Sequence, residues 1–275
     1  MYFINNIKFK IRNSFYFQCL INKFDYTFHE KYYEIDFSIL KKLNLKTYVD
    51  IGTNKGEYVN FLKNKSKKIY CFEPIKKSYQ ILKKIFRVKK IYIYNFALSN
   101  QNKFSKINIP IYRNHLKQIV SYAYNQSSID NYFKDSISEN IKIRKGDNFL
   151  KYQKNIELIK IDVEGHELRV LKGIKKTILK NKPILLIEIE KRHCSKFINT
   201  FNFLKDLDYE IYYVHKLGCL KKICYNRINT FLSNHQKLED LKNESMINDY
   251  KNYNQSKKYV CNFWFIKKNN KLINI

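Results

Sequence analysis

Glycine is scarce in this chain, and where it is kept constrains the fold more than any other feature. Six glycines serve 275 residues. Four of them, Gly52, Gly56, Gly165 and Gly173, sit at or just beyond two points where a short apolar run ends in an acid and a helical pattern begins. The first is Tyr48-Val-Asp-Ile-Gly-Thr-Asn-Lys-Gly-Glu-Tyr58. A strand that turns at once into a helix leaves backbone N–H groups unpaired at the helix start, and glycine lets a ligand approach the main chain. This stretch is therefore expected as a ligand site, against the simpler reading of a turn that needs glycine only for its positive φ.

Apolar runs and helical patterns alternate around these junctions. Glu57 to Lys65 reads as helix, Lys68 to Pro74 as strand, Ile75 to Phe86 as helix and Ile91 to Leu98 as strand. The pattern resumes with a strand at Ile156–Asp162, a helix to about Leu179, a strand at Pro183–Ile189, a helix at Phe197–Leu207 and strands at Tyr209–Val214 and Val260–Ile266. Such alternation predicts a doubly wound, mostly parallel α/β sheet. Nothing between the last two strands reads as a crossover helix, so they are expected to pair antiparallel. Residues 1–45, with a helical spacing over Tyr32–Leu43, are expected as an N-terminal helical cap on a domain spanning 46–275. That domain carries an insertion at 99–144, with short strand-like pieces at Ile107–Ile111 and Ile141–Arg144, and a flexible polar excursion at 216–258.

The formal net charge of +29 would suit a nucleic-acid or anionic-membrane partner. Lysine supplies nearly all of it, however, and the abundance of Asn, Ile, Tyr and Phe is the mark of an AT-rich genome. Bidentate contacts to phosphates and bases favour clustered arginine, so a nucleic-acid partner is not expected. No apolar run reaches the roughly 18 residues of a membrane span. Lys8, Lys10 and Arg12 interrupt the first 20 residues, so no secretory signal is read there and a cytoplasmic setting is expected. The six scattered cysteines are expected as free thiols. His215, Cys219, Cys224 and His235 match no zinc spacing, and no metal is required by the pattern.

In an open parallel sheet the ligand crevice lies at the carboxyl ends of the strands. The acids there are Asp50, Glu73, Asp162 and Glu188. Glu73 follows the glycine turn by some 20 residues, where an acid can accept both hydroxyls of a cofactor ribose. The turn itself is Gly52-x-x-x-Gly56 and lacks the second glycine that a dinucleotide pyrophosphate needs. S-adenosylmethionine has no phosphate and carries a positive sulfonium, so a glycine turn ringed by carboxylates suits it better.

These residues resemble the FkbM-type S-adenosylmethionine-dependent methyltransferases. The resemblance rests on Asp50-Ile-Gly-Thr-Asn-Lys-Gly-Glu-Tyr58, Phe72-Glu-Pro74, Ala97-Leu-Ser99, Ile159-Lys-Ile-Asp-Val-Glu-Gly-His-Glu-Leu168 and Leu171-Lys-Gly173, with Leu186-Ile-Glu-Ile189 and Asn262-Phe-Trp-Phe265 as later strands. It implies a seven-stranded, Rossmann-like sheet with an antiparallel last strand, and methyl transfer to a hydroxyl of a sugar, glycan precursor or small metabolite. Carried over by motif, Asp50, Gly52, Asn54 and Gly56 line the methionine and sulfonium end, and Glu73 holds the ribose. The base that takes the hydroxyl proton is expected among Asp162, Glu164 and His166, with the two acids favoured, and Glu188 is placed beside the acceptor. Glu164 and Glu167 could also be plain first-turn charges on a helix dipole. Two other readings stand beside this one: a nucleic-acid methyltransferase, supported by charge alone, and a cofactor-binding module without catalysis.

Overall fold

The computed structural model describes residues 35–113, 119–122, 126–130, 135–216, 218–237, 259–268 and 270. In chain order its strands are β1 (Leu45–Ile51), β2 (Ser66–Phe72), β3 (Ile91–Tyr94), β4 (Ala97–Ser99), β5 (Lys103–Arg113), β6 (Ile119–Tyr122), β7 (Ser136–Lys145), β8 (Ile156–Ile161), β9 (Ile184–Glu188), β10 (Tyr209–Lys216), β11 (Cys219–Ile223) and β12 (Asn262–Lys267). The helices are α1 (Phe37–Leu40), α2 (Glu57–Leu62), α3 (Lys76–Ile85), α4 (Asp147–Leu150), α5 (Glu167–Gly173), α6 (Lys175–Asn181), α7 (Ile198–Lys205) and α8 (Ile228–His235).

The large sheet runs β11-β10-β12-β9-β8-β1-β2-β3. The ladders joining β9, β8, β1, β2 and β3 are parallel, whereas β12 is antiparallel to both β9 and β10. This is the expected Rossmann-like sheet with its antiparallel last strand, plus an eighth strand. That strand, β11, pairs antiparallel with β10 and comes from the stretch expected as a flexible polar excursion. The same stretch also forms α8, which turns Ile228 and Leu232 into the core, so its first part is ordered structure; residues 238–258 lie outside the described residues.

The sheet is covered on both faces, which is why its central strands are mostly apolar, with Asp50 and Lys160 as buried exceptions near their carboxyl ends. On one face Val49, Ile159, Leu185 and Phe263 pack with Val170, Leu171 and Phe201 of α5 and α7. On the other, Tyr48, Leu158, Leu186 and Trp264 pack with Leu40, Val59, Leu62 and Leu82 of α1 to α3. Full burial of such a side chain is worth about 1.5–3 kcal/mol relative to exposure. Of the expected N-terminal cap, residues 1–34 lie outside the described residues, and the helix expected over Tyr32–Leu43 is helical only at Phe37–Leu40. Asp36, just before it, is buried and accepts hydrogen bonds from Trp264 Nε1 at 2.5 Å and Asn262 Nδ2 at 2.9 Å, which ties the segment to β12.

Three details depart from the sequence pattern for clear reasons. The expected strand Ile91–Leu98 divides at Asn95, whose side-chain amide donates to the carbonyls of Glu73 and Pro74 and turns the chain out of the sheet. Ala97–Ser99 then joins a second sheet, β4-β7-β5-β6, built from the 99–144 insertion. Its β5 and β7 have 11 and 10 residues and pair antiparallel from Lys103–Ile143 to Pro110–Ser136, so the short pieces read from sequence are parts of long strands. Alternation buries Ile107, Ile109, Ile141 and Ile143 against Ile75 and Ala97 and leaves polar residues outward. The helix expected to run to Leu179 breaks between Gly173 and Lys175, where α6 starts afresh with its Lys176 and Thr177 N–H groups donating to Asp147.

Gly173 is required by that crossing, because a Cβ there would lie 1.9 Å from the Ser99 carbonyl oxygen. Gly173→Ala is expected to lower the unfolding free energy by roughly 1–3 kcal/mol through overpacking. Urea denaturation followed by far-UV circular dichroism measures it, and an unchanged midpoint would contradict the close approach.

Candidate active site

Parallel register gathers the strand ends at one edge. Ile51 pairs with Phe72 on one side and Ile161 on the other, and Ile161 pairs with Ile187. The residues that follow, Gly52, Glu73, Asp162 and Glu188, therefore emerge side by side at the carboxyl edge, where such sheets hold their ligands.

At the first junction Gly52, Asn54 and Gly56 all have positive φ, at 84°, 49° and 84°. A Cβ on Gly52 would sit 1.8 Å from the Asp162 carbonyl oxygen, so the two junctions touch here and only glycine fits. The Thr53 hydroxyl donates to the Asp50 carbonyl at 3.1 Å and tightens the turn. Glu73 is buried, with Oε2 accepting the Asn54 N–H at 2.7 Å and Oε1 the Ile75 N–H at 2.8 Å. Burial pushes its carboxyl up to about 7, against the opposing pull of these two donors. Each oxygen retains acceptor capacity for a second donor. Burial likewise pushes Asp50 up to about 6, with the Lys160 charge opposing.

At the second junction the Lys160 ammonium lies 2.7 Å from Asp162 Oδ2 and 4.4 Å from the centre of the Tyr58 ring. Burial alone would lower the Lys160 pKa, but Asp162, Asp50 and Glu188 together hold it above the ordinary lysine value. Glu164 and Gly165 have φ of 50° and 101°. This turn is secured by the Ser128 hydroxyl, donating to the Glu164 carbonyl at 2.7 Å, and by Glu167, accepting the Gly165 N–H at 2.7 Å. The Glu164 carboxyl meets His193 Nδ1, and burial together with the charges of Asp162 and Glu190 pushes it up to about 9. Glu190 is clamped by Arg192 through two 2.8 Å bonds and by the Tyr259 hydroxyl.

Two adjoining cavities open at this edge. One, of about 580 Å³, has walls of Phe72, Ile75, Leu98 and Ile129 around Glu73. The other, of about 1010 Å³, is polar and is faced by Asp50, Tyr58, Lys160, Glu188 and Arg192. Gly52, Asn54, Asp162 and Glu164 line both. Ligand atoms of Asp162, Glu164 and Glu188 lie within 4.8 Å of one another, as do those of Glu164, Glu190 and His193, so either group could surround a cation.

Asp50, Gly52, Asn54, Gly56, Glu73, Asp162, Glu164 and Glu188 thus meet at one crevice. His166 reaches the wall of the smaller cavity, but both ring nitrogens are engaged, Nδ1 with Asp130 Oδ2 at 2.5 Å and Nε2 with Ser99 Oγ at 2.9 Å. Sequence reasoning missed Lys160, Asp130, Arg192 and His193. Lys160 had a signal, a lysine inside the apolar run Ile156–Ile161, because a buried charge demands a partner. Asp130 had none, since it lies in an irregular part of the insertion. Lys160→Met leaves Asp162 and Asp50 without their cation and is expected to cost on the order of 3 kcal/mol. Thermal and urea unfolding check this, and an unaltered stability would mean that the ion pair is dispensable.

The family model of the methyltransferase FkbM domain matches residues 50–211, more than half of the chain. No curated protein matches the sequence. Among solved structures, a methyltransferase FkbM from Methylobacillus flagellatus aligns with 65% of this chain at 21% identity and a TM-score of 0.44. This chain covers 42% of that protein. A Streptococcus mutans protein in complex with SAH aligns with 68% of this chain and 94% of its own length at 14% identity and a TM-score of 0.38. TrmK of M. capricolum, solved with S-adenosyl-homocysteine, aligns with 67% of this chain and 63% of its own length at 13% identity and a TM-score of 0.37. By the family model, with the glycine junction, Glu73 and the Asp162–Gly165 turn all inside the matched residues, this chain belongs to the FkbM methyltransferase family.

Proposed function

We propose that the protein is an S-adenosylmethionine-dependent O-methyltransferase that methylates a hydroxyl of a sugar, glycan precursor or similar small metabolite in the cytoplasm. The observation that carries this reading is the shared lining of the two cavities. Asp162 and Glu164 face both an apolar slot floored by a buried carboxylate and a polar chamber rich in acids. A two-ligand reaction needs such a meeting point.

The residues fit the cofactor. Asn54 Oδ1 is buried and has no hydrogen-bond partner among the described residues, and the Asp50 carboxylate, beside the Tyr48 hydroxyl, faces the same chamber, which suits a ligand bearing an ammonium group and hydroxyls. Glu73 is pre-oriented by two backbone donors and can accept a pair of ribose hydroxyls, while Phe72, Ile75 and Leu98 offer an apolar slot for a purine. Asp50 and Asn54 face the methionine end, where Gly52 and Gly56 leave the backbone open. When bound, S-adenosylmethionine would supply an electrophilic methyl on a sulfonium, taken in line by the acceptor oxygen as the carbon–sulfur bond breaks and the neutral thioether of S-adenosylhomocysteine leaves. The protein's part is mainly alignment, for which well-oriented systems gain about 7–11 kcal/mol. Asp162, held on one side by Lys160, orients the acceptor hydroxyl, and Glu164, which lines both cavities, takes its proton when ionised. The polar lining of the larger chamber supports a hydroxyl-rich acceptor. The five described cysteines are free thiols, which suits a reducing compartment. Among the described residues no helix is long and apolar enough to cross a membrane.

Calorimetry with S-adenosylhomocysteine tests the cofactor assignment. Binding is expected in the unaltered protein and to weaken by at least about tenfold in Glu73→Ala, which also strands two buried N–H groups. A protein that binds no such nucleoside ends the proposal. Ribose hydroxyls favour the ionised form of Glu73, whose carboxyl titrates at about 7 without ligand. Affinity should therefore rise with pH up to about 7 and level off above it, with a slope of at most about tenfold per pH unit for one proton. Asp50, at about 6, adds to the loss only at lower pH. Glu73→Gln should remove most of the dependence near neutrality. With an acceptor in hand, Glu164→Gln and Asp162→Asn are each expected to lower kcat by roughly 10²–10⁴. If both variants turn over at full rate, the base lies elsewhere.

A further inference from the structure

We propose that His166 is a positioning residue: the hydrogen-bonded chain Asp130–His166–Ser99 clamps the insertion sheet onto the second glycine junction, and so fixes both the nucleoside wall and the backbone of Glu164. The proposal rests on the reading of the smaller cavity as the cofactor slot. Among the described residues the large sheet and the insertion sheet share no hydrogen-bonded ladder, and side chains bridge them here. His166 stands at the start of α5, Ser99 ends β4, and Asp130 belongs to the insertion segment that crosses the junction. His166 is 1% exposed and reaches both. Arg169, one turn further along α5, holds the other Asp130 oxygen at 3.3 Å.

The three residues have the order of a hydrolase relay, yet Ser99 is buried and does not border either cavity, so its hydroxyl is an anchor and not a nucleophile. An ionised Asp130 can only accept, so Nδ1 of His166 carries the hydrogen of that bond, and Nε2 pairs with the Ser99 hydroxyl. The same insertion segment supplies Ser127 and Ile129 to the cavity wall, and the Ser128 hydroxyl holds the Glu164 carbonyl. Ser128 is itself fixed by paired backbone bonds with Asn108 of β5, at 2.8 and 3.0 Å. One clamp therefore serves two ends: the slot that takes the nucleoside, and the left-handed turn that aims Glu164.

The test compares Asp130→Ala, Asp130→Asn, Ser99→Ala and His166→Gln with the unaltered chain, in two readouts. In the ligand-free protein, hydrogen exchange over residues 126–130 and 163–168 should speed up by about tenfold or more in Asp130→Ala and His166→Gln, with little change in the β8 and β9 core. With S-adenosylhomocysteine, Kd should rise by about tenfold in the same variants, and Asp130→Asn, which keeps an acceptor, should recover much of that loss. In turnover the cofactor KM should rise by about tenfold in Asp130→Ala and His166→Gln, and any fall in kcat should accompany that rise, because the same clamp holds the turn that aims Glu164. Nitrogen-15 NMR should show a hydrogen on Nδ1 of His166 in the unaltered protein. Unchanged exchange and affinity in folded Asp130→Ala would overturn the clamp. A collapse of kcat at constant KM in His166→Gln would overturn it too, by making His166 the base. Should His166→Gln fail to fold, the Asp130 pair and Ser99→Ala decide the matter. If the unaltered chain binds no S-adenosylhomocysteine, the cofactor reading falls, and the exchange data still judge the clamp.

Discussion

The Lys160 ammonium lies under the crevice, 2.7 Å from Asp162 and within the field of Asp50 and Glu188. A lysine buried near the carboxyl end of a covered parallel strand is costly to desolvate, and here three strand-end carboxylates and the face of Tyr58 compensate it. The arrangement follows from register. Asp50 pairs with Lys160 across β1 and β8, and Asp162 lies two residues on, so strand alternation puts all three side chains on the same side. Repulsion among the acids would otherwise splay the edge. With the cation in place, their oxygens stay crowded together in a chain whose net charge is strongly positive.

Around that charge cluster the fold divides its labour between two sheets. The large one supplies glycine turns and acids through backbone geometry that side chains cannot alter, as the 1.8 Å gap between a Gly52 Cβ and the Asp162 carbonyl makes plain. The smaller one adds Leu98 and Ile107, with Ile129 of the insertion beside them, to an apolar wall that Phe72 and Ile75 share. Asn95 marks the border between them, holding the end of β2 while it redirects the chain.

Residues whose role follows from the local chain were legible in the sequence. The parallel order, the antiparallel β12, both glycine junctions and the strand-end acids all come from period, punctuation and position, which neighbours in the chain determine. What was not legible depends on distant partners. Nothing local to Asn95 shows that it will cap the carbonyls of Glu73 and Pro74, so β3 and β4 read as one strand. The insertion's alternation was visible only where isoleucines recur, because its outward positions are the same Lys, Asn and Ser that loops use. His166 read as a candidate base, since Asp130 and Ser99, 36 and 67 positions away, are brought to it only by the tertiary fold. Lys160 was readable in principle, as a charge in a run that should be wholly apolar.

One consequence lies at the far border of the large sheet. An unpaired border strand is a template on which another chain can add, and long apolar borders invite fibrous assembly. Here β10 does not form the margin; the short β11 does, and it carries Lys221 and Lys222 exposed to solvent. Its five-residue length and the Lys221 charge disfavour an identical strip laid beside it, while Lys222 pairs with Glu210 of β10. The extra strand thus works as a selvedge, finishing the fabric so that the apolar weave of β9, β12 and β10 does not continue into a neighbouring molecule.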